Sequence, residues 1–142
     1  MALNAQYEVI GKGFVQQYYA MFDDPAQRPN LINMYNSLTF QKINRIITAI
    51  DSQPMFDGGV LINVLGRLQT DEDQPHAYIQ TFVLKPIGTS FYVQHDIFRL
   101  ALHNTADEDP PHAFSQIFVL KPLGNSFFCQ HDIFRLGIHD SA

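Results

Sequence analysis

Gln94-His-Asp-Ile-Phe-Arg-Leu100 is written again, letter for letter, at Gln130-His-Asp-Ile-Phe-Arg-Leu136. Working outward from these two heptads, 71–106 and 107–142 align without a gap at roughly two-thirds identity, so one unit stands twice at the end of the chain. Both copies open with Asp-Glu-Asp and pass through Phe-Val-Leu-Lys-Pro before reaching the heptad. A solenoid needs about three or more stacked units, so two copies indicate a duplicated piece of one domain.

Each copy is a hairpin by its own chemistry. Tyr78–Lys85 and Phe91–His103 are strand-like stretches around Pro86-Ile87-Gly88-Thr89-Ser90. Phe114–Lys121 and Phe127–His139 repeat the pattern around Pro122-Leu123-Gly124-Asn125-Ser126. Upstream, Phe40–Ile50 and Val60–Gln69 are rich in Ile and Val, and Asp57-Gly58-Gly59 between them is a hairpin turn signal. Val60, Ile62, Val64 and Leu68 share one face of the second strand. Before the strands, Tyr7, Ile10, Phe14, Tyr18, Met21 and Phe22 recur at helical spacing, with Glu8, Lys12, Gln16 and Gln17 on other faces. Asn4 is placed to cap that helix, and Asp24-Pro25 predicts a second, short helix ending near Met34. Helices first and a meander of antiparallel strands afterwards predict an α+β fold, with helices on one face of a curved sheet. The expected organisation is a domain over 1–106 and its duplicated hairpin over 107–142, part of or appended to that domain. The seam is expected at Asn104-Thr105-Ala106. Continuation of the meander by Phe114–His139 beyond Phe91–His103 is the expected place for the extra hairpin.

Composition narrows the function. The 142 residues suffice for one domain, and 46% hydrophobic content with twelve Phe supplies a core. Nine Lys and Arg, scattered singly in a chain of net charge −5, do not form the clustered basic footprint that nucleic acid or an anionic membrane surface requires. An acidic chain suits a partner with a basic patch instead. Cys129 is the single cysteine, so no intramolecular disulfide is expected and a reducing compartment fits. No apolar run approaches the roughly 18 residues of a membrane span, and Met1–Gln6 does not read as a secretory leader. The expectation is a soluble, intracellular protein.

Three sets of side chains invite a functional reading. The acidic run Asp71-Glu72-Asp73, repeated at Asp107-Glu108-Asp109, is either a solvated turn or a charged rim for a basic partner. The six histidines lack metal-ligand spacing, and His95-Asp96 and His131-Asp132 are neighbours on a strand whose side chains point to opposite faces, so neither pair is an acid–base dyad. Walker loops, dinucleotide fingerprints and nucleophile motifs are absent, so neither a cofactor nor a metal is expected. Tyr7 is either core or an exposed aromatic for docking a peptide, and Phe91, Phe98, Phe127 and Phe134 read as sheet-facing core. A concave sheet covered by helices leaves room for an apolar pocket at its open end.

In order along the chain, Gly13-Phe-Val-Gln-Gln-Tyr-Tyr19, Phe40-Gln-Lys-Ile43, Asp51-Ser-Gln-Pro54, Asp71-Glu-Asp73 and Asp96-Ile-Phe-Arg-Leu100 closely resemble the nuclear transport factor 2 family. These are small dimeric carriers that bring the GDP-bound GTPase Ran into the nucleus through nucleoporin Phe-x-Phe-Gly repeats. The resemblance covers Met1–Tyr35 and Ser37–Ala106. It implies a cone-like α+β fold, a homodimer formed through the sheet, no enzymatic activity, and residence in cytoplasm and nucleus with concentration at the nuclear pore. It implies that Asp71 and Asp73 hold basic residues of Ran, that Ile97 and Phe98 line the apolar cavity that receives a Phe of Ran, and that Tyr7 stands at the nucleoporin-repeat site. The duplicate positions are Asp107, Asp109, Ile133 and Phe134.

This chain departs from the family between Tyr35 and Leu38, where the family carries some two dozen further residues: a short hairpin and a third helix with a Thr-(Trp or Phe)-Glu-Gly motif. Here Asn36-Ser37 is all that stands there, and none of Glu8, Glu72 and Glu108 is followed by Gly. The expected outcome is a carrier with nucleoporin binding kept and Ran binding weakened. Two alternatives stand beside it. One is a product without activity, or one that traps normal subunits in mixed dimers. The other is an enzyme of the same cone fold, for which Asp96 and Asp132 are the carboxylates inside predicted strands.

Overall fold

The computed structural model describes residues 3–24, 26–27, 43–70, 74–101 and 112–138. These form one helix, α1 (Tyr7–Asp23), and six strands: β1 (Ile43–Pro54), β2 (Val60–Thr70), β3 (His76–Ile87), β4 (Ser90–Leu100), β5 (Phe114–Leu123) and β6 (Ser126–Leu136). The α+β expectation holds. The short helix expected from Asp24 to Met34, the Asn36-Ser37 junction, both acidic runs and the Asn104–Ala106 seam lie outside the described residues, save a turn at its start in which Asp24 Oδ1 accepts the Ala26 amide at 2.9 Å.

Strands β1 to β4 form an antiparallel meander in the order β1-β2-β3-β4. Between β1 and β2 the Asp57-Gly58-Gly59 turn closes as its sequence predicts. Gly58 takes φ 85°, and Asp57 Oδ1 accepts the Gly59 amide at 3.0 Å. Because side chains alternate across a strand, pairing aligns them in rows. Ser52, Ile62, Phe82 and Asp96 form one row on the helix face, and Ile50, Val64, Gln80 and Phe98 form the next. Asp51, Asn63, Thr81 and Ile97 lie on the opposite, back face, beside Gln53, Leu61, Val83 and His95. Register shifts at Ile47/Ala49 and Val83/Leu84 mark bulges, which bend a sheet and strengthen its twist.

The apolar stripe of α1 packs on the helix face. Val15, Tyr18 and Tyr19 join Val60, Ile62, Val64, Tyr78, Phe82 and Leu84 in one buried cluster, flanked by Tyr7, Ile10, Phe14 and Phe22. Phe14 and Tyr18 both meet the Phe82 ring edge-on, each with centroids 5.0 Å apart. Each fully buried side chain of this size stabilises by roughly 1.5–3 kcal/mol. Asn4 does not act as the cap: its Oδ1 accepts the Gln6 amide at 2.9 Å, while Gln6 occupies the N-cap position without a side-chain bond into the helix. An Asn two residues earlier satisfies the local turn first, as Asn side chains commonly do.

The second hairpin corrects the sequence-based expectation most. Strands β5 and β6 pair only with each other, as a separate two-stranded sheet, and do not extend the meander. They lie against the back face. Ile133 is buried with Met55 and Leu61, and Val83, Ile117 and Val119 pack around them. Pairing at the edge of β4 would leave Met55, Leu61 and Val83 bare, whereas stacking removes them and Ile133 from water together. The polar fringe matches too. Arg135 Nε donates to Asp51 at 2.9 Å, His131 Nδ1 lies 3.1 Å from Gln53 Oε1, and Asn63 Nδ2 lies 3.4 Å from Ser115 Oγ. Strand β1 reaches four residues past its expected end at Ile50, and this extension carries Asp51 and Gln53 to the contact.

Candidate functional site

The two hairpins are one structure used twice. Tyr78 pairs with Leu100, Gln80 with Phe98 and Phe82 with Asp96; thirty-six residues on, Phe114 pairs with Leu136, Gln116 with Phe134 and Phe118 with Asp132. Their turns place Gly88 and Gly124 at the same φ of 61°. Burial is what separates them, and it decides where each candidate residue can act.

In the first copy, Phe98 lies on the helix face, stacked on Tyr78 with centroids 5.5 Å apart, and remains 45% exposed. Ile97, the next residue, points to the back face and is 63% exposed. The structure therefore does not bring Ile97 and Phe98 onto one surface, as the period of a strand requires. In the second copy, Ile133 is buried between the sheets and Phe134 faces outward, stacked on Phe114. Tyr7 opens α1 and packs, half-buried, against the main core. Asp71, Asp73, Asp107 and Asp109 lie outside the described residues. The flanks of the first pair are described: β2 ends at Thr70 and β3 begins at His76, at the end of the sheet where Leu100 pairs with Tyr78.

That end holds a buried cation. Arg45 donates to both carboxylate oxygens of Asp23, at 2.8 and 2.9 Å, and its guanidinium sits 3.8 Å from the Tyr19 ring centroid and 5.0 Å from that of Tyr78. Hydrogen bonding to Asp23 and the neighbouring Tyr78 outweigh the cost of burial, so Arg45 holds its proton more firmly than a free arginine. Tyr19 is pushed far above the ordinary phenol range, by burial first and Tyr78 second, and its hydroxyl donates to Gln80 Oε1 at 2.8 Å. Gln80 donates to Asp96 at 2.8 Å, and the Tyr18 hydroxyl lies 3.4 Å from the other oxygen of that carboxylate. Asp96 is thus committed to holding α1 on the sheet, and His95 points away from it to the back face.

Two clefts border the second hairpin. One, of about 400 Å³, is lined by Glu8, Lys12, Asp51, Gln53, Asp132, Ile133 and Phe134 and is mostly polar. The other, of about 220 Å³, is lined by Met55, Phe56, Asp57, Lys121 and Gln130. Neither is lined by Ile97 or Phe98, so the apolar pocket expected around that pair is not found in these clefts. Among the described residues, no group of three or more His, Cys, Asp and Glu is arranged to hold a metal ion. No described helix is long and apolar enough to cross a membrane.

Comparison with known proteins decides the family. The model of the nuclear transport factor 2 (NTF2) domain matches residues 26–100. A probable nuclear transport factor 2 from Caenorhabditis elegans is 36% identical over 132 residues, spanning 73% of this chain and 99% of the relative. The chain belongs to the nuclear transport factor 2 family. Nuclear transport factor 2 of Saccharomyces cerevisiae is 34% identical over 123 residues, covering 69% of this chain and 97% of that protein. Among solved structures, nuclear transport factor 2 from Cryptosporidium parvum superposes with a TM-score of 0.62 at 34% identity, over 70% of this chain and 98% of that one. These relatives are named as transport factors, and the enzyme alternative falls with that. The family match stops at Leu100, so β5 and β6 lie beyond it.

The interface between sheet and hairpin is what sequence reasoning missed. Its signal was Asn63, a polar residue inside Val60-Leu-Ile-Asn-Val-Leu65 that needs a partner once buried. Thr81 Oγ1 lies 2.9 Å from Asn63 Oδ1, and Ser115 takes the other end of the amide.

Proposed function

We propose that this chain works in nuclear transport as a carrier that binds Ran-GDP and nucleoporin Phe-x-Phe-Gly repeats, moving between cytoplasm and nucleus and concentrating at the pore. The supporting observation is the superposition over 98% of a solved transport factor. In this reading Asp71 and Asp73 pair with basic residues of Ran, and Phe98 gives an apolar step for its Phe. Tyr7, half-buried at the start of α1, is the nucleoporin contact. The duplicate Asp107 and Asp109 offer a second charged rim with Phe134, while Ile133 is already packed and has no surface to give. Ile97 serves the homodimer, on the strip of back face beside the hairpin where it is 63% exposed.

Ran affinity is lowered by the short Tyr35–Leu38 junction. The 132 aligned positions of the nematode relative occupy only 73% of this chain, so some of them have no counterpart here, which supports reading Asn36-Ser37 as a deletion. A second reading is favoured by the hairpin's position on the back face. If family dimers form through that face, β5–β6 competes with the partner, and the chain stays monomeric or pairs weakly with normal subunits. Pull-downs with Ran-GDP, Ran-GTP and a Phe-x-Phe-Gly peptide, with light scattering for mass, test both. The carrier reading expects peptide capture that falls on Tyr7→Ala and weak, GDP-selective Ran capture that falls on Asp71→Ala with Asp73→Ala. Loss of both partners in a monomeric protein refutes it.

A further inference from the structure

The outward face of β5–β6 is a core face without its helix. Phe114, Phe118, Leu120, Phe134 and Leu136 are 59, 55, 57, 54 and 43% exposed. Their counterparts in the first copy include Tyr78, Phe82 and Leu84, which α1 covers so fully that they are at most 1% exposed. The two faces agree in detail. Phe114 and Phe134 stack at 5.5 Å and 22°, as Tyr78 and Phe98 do at 5.5 Å and 21°. Gln116 donates to Asp132 at 2.7 Å, as Gln80 donates to Asp96 at 2.8 Å.

We infer that this face is a docking site for an amphipathic helix of another polypeptide, one that carries an adjacent tyrosine pair within an apolar stripe, as α1 does. The first copy shows what such a face receives. Phe14 and Tyr18 wedge against Phe82, Tyr19 meets Tyr78, and the two tyrosine hydroxyls reach Asp96 and Gln80. On the second copy Phe118 presents the same ring. The amide oxygen of Gln116 and the Oδ2 of Asp132 have no hydrogen bond among the described residues, so they stand ready to accept two hydroxyls. The polar pair favours that occupant: a purely aliphatic helix or another apolar sheet would bury Gln116 and Asp132 with those acceptors unpaired, at roughly 1–3 kcal/mol for the amide and more for the carboxylate.

Area is sufficient as well. The five exposed side chains leave about 500 Å² of apolar surface, so a helix laid across them removes on the order of 1,000 Å² counting both partners, at the threshold of a specific interface. The chain's own α1 cannot fill the site, because moving it would bare Tyr78 and Phe82. Tyr18-Tyr19 is the one adjacent tyrosine pair in the sequence, so a helix with that pair comes from another polypeptide.

The probe is a labelled synthetic peptide of the α1 sequence, Tyr7–Asp23, titrated into the full-length protein. Saturable binding of one peptide per chain in the micromolar range is expected. Phe118→Asp is expected to weaken it at least a hundred-fold, and a peptide with Tyr18→Phe and Tyr19→Phe to bind roughly ten-fold more weakly, for two lost hydrogen bonds. Leu120→Lys, also at an exposed position, serves as a second variant should Phe118→Asp fail to fold. No saturation at millimolar peptide overturns the proposal. So does binding that neither variant weakens, since the peptide then sits elsewhere. So does a dimer that Phe118→Asp converts to monomer, since a second copy then covers the face.

Discussion

Ile97 and Ile133 are the same residue in the same heptad, and replacing each by alanine should have very different consequences. Ile133 is 5% exposed between Met55 and Leu61, whereas Ile97 is 63% exposed on the same kind of strand. Removing a buried Ile side chain costs about 2–5 kcal/mol, and the low end applies here because a two-stranded sheet can settle into the gap. At about 2–3 kcal/mol, the population with the hairpin lifted off the back face rises roughly 30- to 150-fold. Ile97→Ala should stay within about 0.5 kcal/mol of the parent. Hydrogen exchange read by mass spectrometry resolves the two: Ile133→Ala should accelerate exchange across β5, β6 and the newly bared Met55–Leu61 segment, leaving β3 and α1 protected. Equal effects of the two substitutions would refute the stacked arrangement. A uniform loss of protection from α1 to β6 would show that the hairpin does not open as a unit.

Further outcomes follow from the same contacts. Gly66→Ala should destabilise by about 1–3 kcal/mol in urea unfolding, because an added Cβ would fall 2.5 Å from the Tyr78 ring. Arg45→Ala takes the cation away from the Tyr19 and Tyr78 rings, leaves the partly buried Asp23 carboxylate without it, and should cost about 3 kcal/mol in the same assay, with Arg45→Lys recovering only part since it cannot span both carboxylate oxygens. His131 is held below the ordinary histidine value, by burial first and by Lys121 second, so the folded hairpin prefers the neutral ring. The unfolded chain takes up that proton as pH falls through its ordinary value of 6.5, so docking is strongest above that pH and weakens below it. A chemical-shift titration of β6 amides from pH 7.5 to 5 should show the weakening, and His131→Gln should remove it.

The helix, the meander and the turns were legible because their signals are local. Period-2 alternation in Val60–Leu68 put Val60, Ile62 and Val64 under α1, and Asp57-Gly58-Gly59 stated its own turn. The same alternation separates His95 from Asp96, and it puts Ile97 and Phe98 on opposite faces of β4, where the family resemblance implies one cavity. The place of the second hairpin could not be read, since its letters nearly repeat the first. Ile133 and Ile97 differ in burial through long-range packing alone, and no local pattern encodes which copy of a duplicated ribbon pairs with β2 and which stacks behind it. Asn63 hinted at a cover for the back face without naming it.

Nearly identical letters here live under opposite evolutionary rules. Phe82 is locked, because any smaller side chain hollows the interior, whereas Phe118 is free to change unless something rests on it. Descendants of this duplication therefore record whether a partner exists. Neutral drift should replace Phe114, Phe118 and Phe134 by polar residues within a few substitutions, while purifying selection would preserve them only where another molecule collects the benefit.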